Sequence, residues 1–102
     1  MATVTSKVLF RGAATTTVTT TLYTVPASTS AVITNICVVN TAASAGTFDI
    51  ALDGVKLATT QAIAANSTAY IDLKQVLATT KTIAGGASAT TINFHISGVE
   101  IV

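Results

Sequence analysis

Charge is what this sequence has least of. Five Lys and Arg and four Asp and Glu make up 9% of its 102 residues, where ordinary soluble domains carry about 25%. The formal net charge of +1 supplies no field to draw in nucleic acid or an anionic membrane, and neither is expected as a partner. Tryptophan is absent, and only two Tyr and three Phe occur, so stacking platforms for bases or sugars are scarce. The lone cysteine, Cys37, excludes an internal disulfide and fits synthesis in a reducing cytoplasm. No apolar run approaches the ~20 residues of a membrane-spanning helix. The first residues, Met1 to Lys7, lack the apolar block of a secretory signal.

In place of charge stand 21 Thr and 18 Ala. Threonine favours strands, and alanine inflates the 50% hydrophobic content without implying a membrane protein. The length suits a single domain over residues 1–102, able to bury roughly 60–70% of its unfolded surface. A monomeric β protein guards its sheet edges with charge, proline or bulges. Five basic residues, four acidic residues and one proline guard few edges. Cover by other subunits resolves this, so a homo-oligomer or assembly component is expected. The competing reading is a monomer solvated by its threonine hydroxyls.

The clearest local signal is Phe48 to Ala58, where alternating apolar residues flank Asp53-Gly54, a two-residue hairpin turn. That turn pairs Leu52 with Val55 and Ile50 with Leu57, which places four aliphatics on one core-facing side. Asp49 and Lys56 become diagonal neighbours on the other side. Strands are also expected over residues 3–10, with Val4, Val8 and Phe10 in one phase, and over residues 16–25, ended by Pro26. Residues 31–39 are apolar in both phases, Val32, Ile36 and Val38 against Ile33, Cys37 and Val39. Such a strand is central in a sandwich or shows one face to a partner. Gln61 to Ala64 reads as a short strand before an Ala65-Asn66 turn. Residues 67–73 turn Ala69, Ile71 and Leu73 inward, and Lys81 to Ala84 form a strand before a Gly85-Gly86 turn. Residues 90–97 turn Ile92, Phe94 and Ile96 inward; at Gly98 the apolar phase flips to Val99 and Ile101, the mark of a bulge. About eight short strands without a helix predict an all-β antiparallel sandwich of jelly-roll type.

No catalytic, metal or cofactor site is expected, and the protein reads as no enzyme. His95 lies on a polar phase without a Cys, Asp or Glu near it in sequence. Cys37 sits in an apolar run and reads as a small hydrophobe, with the only histidine far along the chain. Asp49 and Asp53 share a phase but stand about 13 Å apart, too far for one acid–base pair. Asp72 and Glu100 read as lone solvated carboxylates, and no loop gathers enough carboxylates for calcium. Gly85-Gly86 opens no helix and lacks the Lys-Ser/Thr of a phosphate loop. The cations Lys7, Arg11, Lys56, Lys74 and Lys81 are scattered and form no basic stripe. A sugar site would rest on Tyr23 and Tyr70 alone.

Several stretches carry a likeness to a known group. They are Leu22-Tyr23-Thr24-Val25-Pro26, Val32-Ile33-Thr34-Asn35-Ile36, Phe48 through Lys56, Ile71-Asp72-Leu73-Lys74-Gln75-Val76-Leu77, and Phe94-His95-Ile96-Ser97-Gly98-Val99-Glu100. From Leu22 onward the chain resembles small virion proteins of tailed bacteriophages, in all-β texture and not in a catalytic motif. The resemblance implies a non-enzymatic structural protein located in the virion, most directly a capsid decoration (cement) protein stabilising the head lattice. A trimer and contact with the major capsid protein or other virion proteins are further implications of it. A tail or baseplate component and a host-surface carbohydrate-binding module remain the alternatives. Residues 1–14, outside the resemblance, are open to a role as an N-terminal arm.

Overall fold

Asp53 and Gly54 turn the chain with φ of 54° and 73°, the pair of positive values that a type I′ hairpin requires. Around this turn the computed structural model, which describes residues 3–102, forms eight strands and no helix among those residues. They are β1 (Val4–Ala13), β2 (Thr21–Thr24), β3 (Ser30–Asn40), β4 (Gly46–Leu52), β5 (Val55–Ile63), β6 (Thr68–Leu77), β7 (Thr82–Ala87) and β8 (Ile92–Ile101). Two antiparallel sheets result, the first ordered β1-β8-β3-β6 and the second β2-β7-β4-β5. Only β4 and β5 are consecutive strands paired with each other; the chain otherwise crosses between sheets or skips a neighbour. Two interlocked Greek keys of this kind make a jelly roll, the all-β sandwich expected from the strand count.

The core lies between the sheets and follows the period of two. On β8, Ile92, Phe94 and Ile96 are fully buried, as their alternation predicts. Ile33, Ile36 and Val38 of β3 lie beside them, and Phe48, Ile50 and Ile83 face them from the second sheet. The Phe48 and Phe94 rings meet edge to face across the gap, centroids 6.2 Å apart at 73°, a favoured aromatic geometry. On β6, Ala69, Ile71 and Leu73 pack against this core and Tyr70 and Asp72 face out, as expected.

Several expectations are corrected, each for a local reason. Ile50 pairs with Ala58 and not with Leu57, because β5 carries extra residues at two register shifts. Of the four expected core aliphatics, Ile50 is buried and Leu52 partly so, while Val55 and Leu57 are exposed. Gly85 and Gly86 are not a turn but the middle of β7, both buried. A Cβ on Gly85 would stand 2.5 Å from the Asp49 carbonyl oxygen, so that position needs glycine for close approach rather than for φ. Gln61 belongs to β5, which runs unbroken to Ile63. Only Thr21–Thr24 of the threonine-rich stretch is strand; Thr15 and Thr20 instead join their hydroxyls, 2.6 Å apart, and close a loop.

Bulges explain the rest. β1 continues through Arg11 and Gly12 and turns Leu9 inward, not Val4 or Val8. Its register with β8 shifts between Val8 and Phe10, and that of β3 between Ile33 and Asn35. The irregularity expected at Gly98 therefore sits in the two strands flanking it, while β8 keeps its alternation. Residues 4–13 of the suggested N-terminal arm are β1, paired with β8 along the first sheet; residues 1 and 2 lie outside the described residues.

Candidate assembly surface

The alternation that fills the core also fixes what the first sheet shows on its outer side. Reading across β1, β8, β3 and β6, that face carries successive rows of paired residues. Val4 and Ile101 adjoin Ser30 in one row; Ser6, Val99, Val32 and Val76 make the next; Val8, Ser97, Asn35 and Asp72 the third. The first two rows form an aliphatic patch broken only by Ser6 and Ser30. Val4 is 63% exposed and Val76 71%, while Val32, Val99 and Ile101 are half-buried. The phase change after Gly98 and the two apolar phases of β3 are thus one feature: both strands turn aliphatic side chains outward at this end. An aliphatic patch of this kind on a chain this poor in charge is a candidate interaction surface.

The next row joins Arg11, His95, Cys37 and Tyr70. Far apart in sequence, Cys37 and His95 stand directly opposite each other on β3 and β8, which the sequence reading did not foresee. Cys37 is half-buried in that outer row and is not part of the core between the sheets. No carboxylate completes the pair: among the described residues no three of His, Cys, Asp and Glu lie together as a metal site would need.

Asp49, Asp53 and Glu100 each have a cationic partner, and only that of Asp49 was expected from the sequence. Asp49, nearly buried, accepts from Lys56 Nζ and the Thr60 amide, both at 3.1 Å. The expected diagonal contact with Lys56 is present, and the Thr60 bond fastens a β-branched residue at φ 46° in the β5 bulge. Asp53 stands 3.6 Å from Lys81 Nζ with both groups half-exposed, a contact of little energetic weight. Glu100, expected to be solvated, takes the inward phase at the end of β8. There it accepts the Tyr23 hydroxyl from the second sheet and Lys7 Nζ, at 3.2 Å, from β1. This clip closes the sandwich where β1 lies beside β2.

The Tyr23 hydrogen bond, then Lys7, holds the Glu100 carboxyl below its ordinary value against the opposing effect of burial. Burial first, then Glu100, raises the Tyr23 phenol well above its ordinary 10.0. The lowered acid stabilises the fold fully above the ordinary carboxylate range, and that contribution fades as pH falls through its folded value. The raised phenol contributes fully below pH 10 and loses that contribution as pH climbs further, because the unfolded chain ionises first. Tyr23→Phe should therefore flatten the unfolding free energy at both ends of the pH range. Urea titrations between pH 3 and 11 check this, and unchanged slopes in the variant would remove the clip from the stability account.

The opposite seam, between β5 and β6, is open. Leu57, Ala58, Ala69 and Ile71 line a groove there with Tyr70 and Gln61 at its lip. A second cleft beside Leu52 and Val55 continues it. Of the two tyrosines a sugar platform would need, Tyr70 is exposed here and Tyr23 is buried in the clip.

No protein-family model and no curated protein sequence matches the chain. Among solved structures it is similar to a chain of the T13 IBDV viral particle, at TM-score 0.57 and 11% identity, over 98% of this chain and 30% of that one. It thus spans less than a third of that neighbour's length. The tobacco streak virus coat protein dimer is a looser match, at TM-score 0.47 and 10% identity, over 98% and 83% of the two chains. The CBM36-1 domain of a multidomain xylanase from the Trinervitermes trinervoides hindgut metagenome is looser still, at 0.39 and 18%, over 100% and 97%. The likeness to the viral particle is one of fold, an eight-stranded jelly roll, an architecture that viral capsid, lectin and cupin domains share.

Proposed function

We propose that this chain is a non-enzymatic structural protein of a virion, acting as a capsid decoration protein that binds the assembled head lattice of a tailed phage. The observation that carries this reading is the aliphatic patch of Val4, Ile101, Val99, Val32 and Val76 on the outer face of the first sheet. A face of that kind is suited to burial against protein, and the chain has too few charges to keep it in solvent. The phage resemblance from Leu22 onward and the jelly-roll fold support the same reading. The mechanism is mass action. A protein that binds the assembled shell and not its dissociated subunits shifts the equilibrium toward the shell. Removing the protein should lower the thermal and osmotic stability of particles, and equal stability without it would end this reading. Val4→Lys combined with Val8→Lys should leave the unfolding free energy within about 0.5 kcal/mol per site, since both side chains are exposed. The same variant should bind particles at least tenfold more weakly, as two cations enter an apolar contact. Cryo-EM of decorated particles separates a head position from a tail position.

A further inference from the structure

We propose that a second copy of this chain docks along the free edge of β6, through a two-fold axis at Leu73 that joins the first sheets of two copies into one of eight strands. This deepens the assembly reading above by naming how copies meet, on a strand other than those carrying Val4 and Val8. β6 pairs with β3 on one side only, so its other row of backbone amides and carbonyls is unused. Such an edge is a template for another strand.

The sequence of β6 is complementary to its own reverse. With Leu73 opposite the Leu73 of a copy, Asp72 faces Lys74 and Lys74 faces Asp72, so both charges are matched twice. Two residues further out, Tyr70 faces Val76, and among the described residues these are the two most exposed large apolar side chains, each at 71%. All four lie on one face, where cross-strand aromatic–β-branched and opposite-charge pairs stabilise an antiparallel ladder. On the other face, Leu73 meets its counterpart, and the second copy covers the mouth of the β5–β6 groove. The register of β6 with β3 shifts between Asp72 and Gln75. That bend falls on the axis, where both copies share it.

The other edges offer no such match. β1 carries the cations Lys7 and Arg11 without an acid, β2 is four residues long, and the one charge of β5, Lys56, is paired with Asp49. The opposing reading is that Asp72, Lys74 and the bend protect β6 from pairing, and it predicts a monomer.

Light scattering and sedimentation of the full chain at low salt decide between them. The parent should weigh two chains, or a multiple of two. Asp72→Lys sets Lys against Lys and Lys74→Asp sets Asp against Asp, and each should weaken association on the order of tenfold. The double exchange, D72K with K74D, should restore it. Both residues are exposed, and circular dichroism confirms that the variants fold. As a separate measurement, Leu73→Cys in a Cys37→Ser background should give a covalent dimer on mild oxidation, because facing strand positions fit disulfide geometry. A parent mass of one or three chains, single exchanges without effect, a double exchange that fails to recover, or no covalent dimer would each overturn the proposal. Loss of particle binding by the β1 variant with the dimer intact would leave it standing. A parent dimer that fails to bind particles would overturn the virion role alone.

Discussion

Gly86→Ala should destabilise the fold by about 2–4 kcal/mol, a large share of what a domain of this size has. A Cβ at Gly86 would stand 2.5 Å from the Thr17 carbonyl oxygen and 2.8 Å from that of Thr15. Both obstacles are backbone, so no rotamer change makes room. The loop after β1 would have to lift. In doing so it would stretch the bonds from the Ala87 amide to the Thr15 carbonyl and from the Gly85 amide to the Thr20 carbonyl, each 2.9 Å. It would also part the Thr15 and Thr20 hydroxyls. Gly54→Ala is the control. Nothing lies within 4 Å of a Cβ there, and the position asks only for positive φ, at a cost of about 1–2 kcal/mol. Chemical denaturation of both variants tests the difference. If Gly86→Ala proves as mild as Gly54→Ala, then the loop does not rest on β7.

That glycine pair shows where sequence pattern gives out. Gly-Gly beside a short strand ordinarily punctuates a turn, and nothing local distinguishes a glycine wanted for φ from one wanted for closeness. The obstacle at Gly86 comes from residues 15 and 17, about seventy positions earlier in the chain. The same non-local cause hid the partners of Glu100, which belong to β1 and β2, and the pairing of Cys37 with His95. By contrast, Ile92, Phe94 and Ile96 declared themselves because burial on one side of a strand needs only a period of two. The Asp53-Gly54 turn was legible because its φ values are a local property of two residues. Its register was not. The extra residues of β5 move Leu57 out of line, and a bulge leaves no mark in composition when the stretch that carries it reads Leu-Ala-Thr-Thr. The outward aliphatics were visible as a doubled phase in β3 and a flipped phase in β8, but only the register of four strands gathers them into one patch.

Phe94→Ala should cost about 3–5 kcal/mol and lower the melting temperature on the order of 20 °C. Phe94 is fully buried at the centre of the first sheet, between Gly12 of β1 and Val38 of β3. It reaches across to Phe48 of the second sheet. Removing the ring deletes that contact and leaves a void bounded by two sheets, which their hydrogen-bonded ladders prevent from closing. Phe48→Ala should lose a similar amount, and the double variant should lose less than the two singles together, because the edge-to-face contact is counted in each. Strict additivity would mean that the rings do not stabilise each other. On the proposed reading, the contrast with the outer face separates architecture from lattice binding on one sheet. Substituting Phe94 weakens the fold from within, and particle binding falls only as the folded fraction falls. Substituting Val4 and Val8 should leave the fold in place and weaken binding directly. A Phe94→Ala protein that still binds particles fully at a temperature where it remains folded, beside a β1 variant that is folded and does not bind, would place the activity on the outer valine face. A folded Phe94→Ala protein that fails to bind would instead tie binding to the exact spacing of the two sheets.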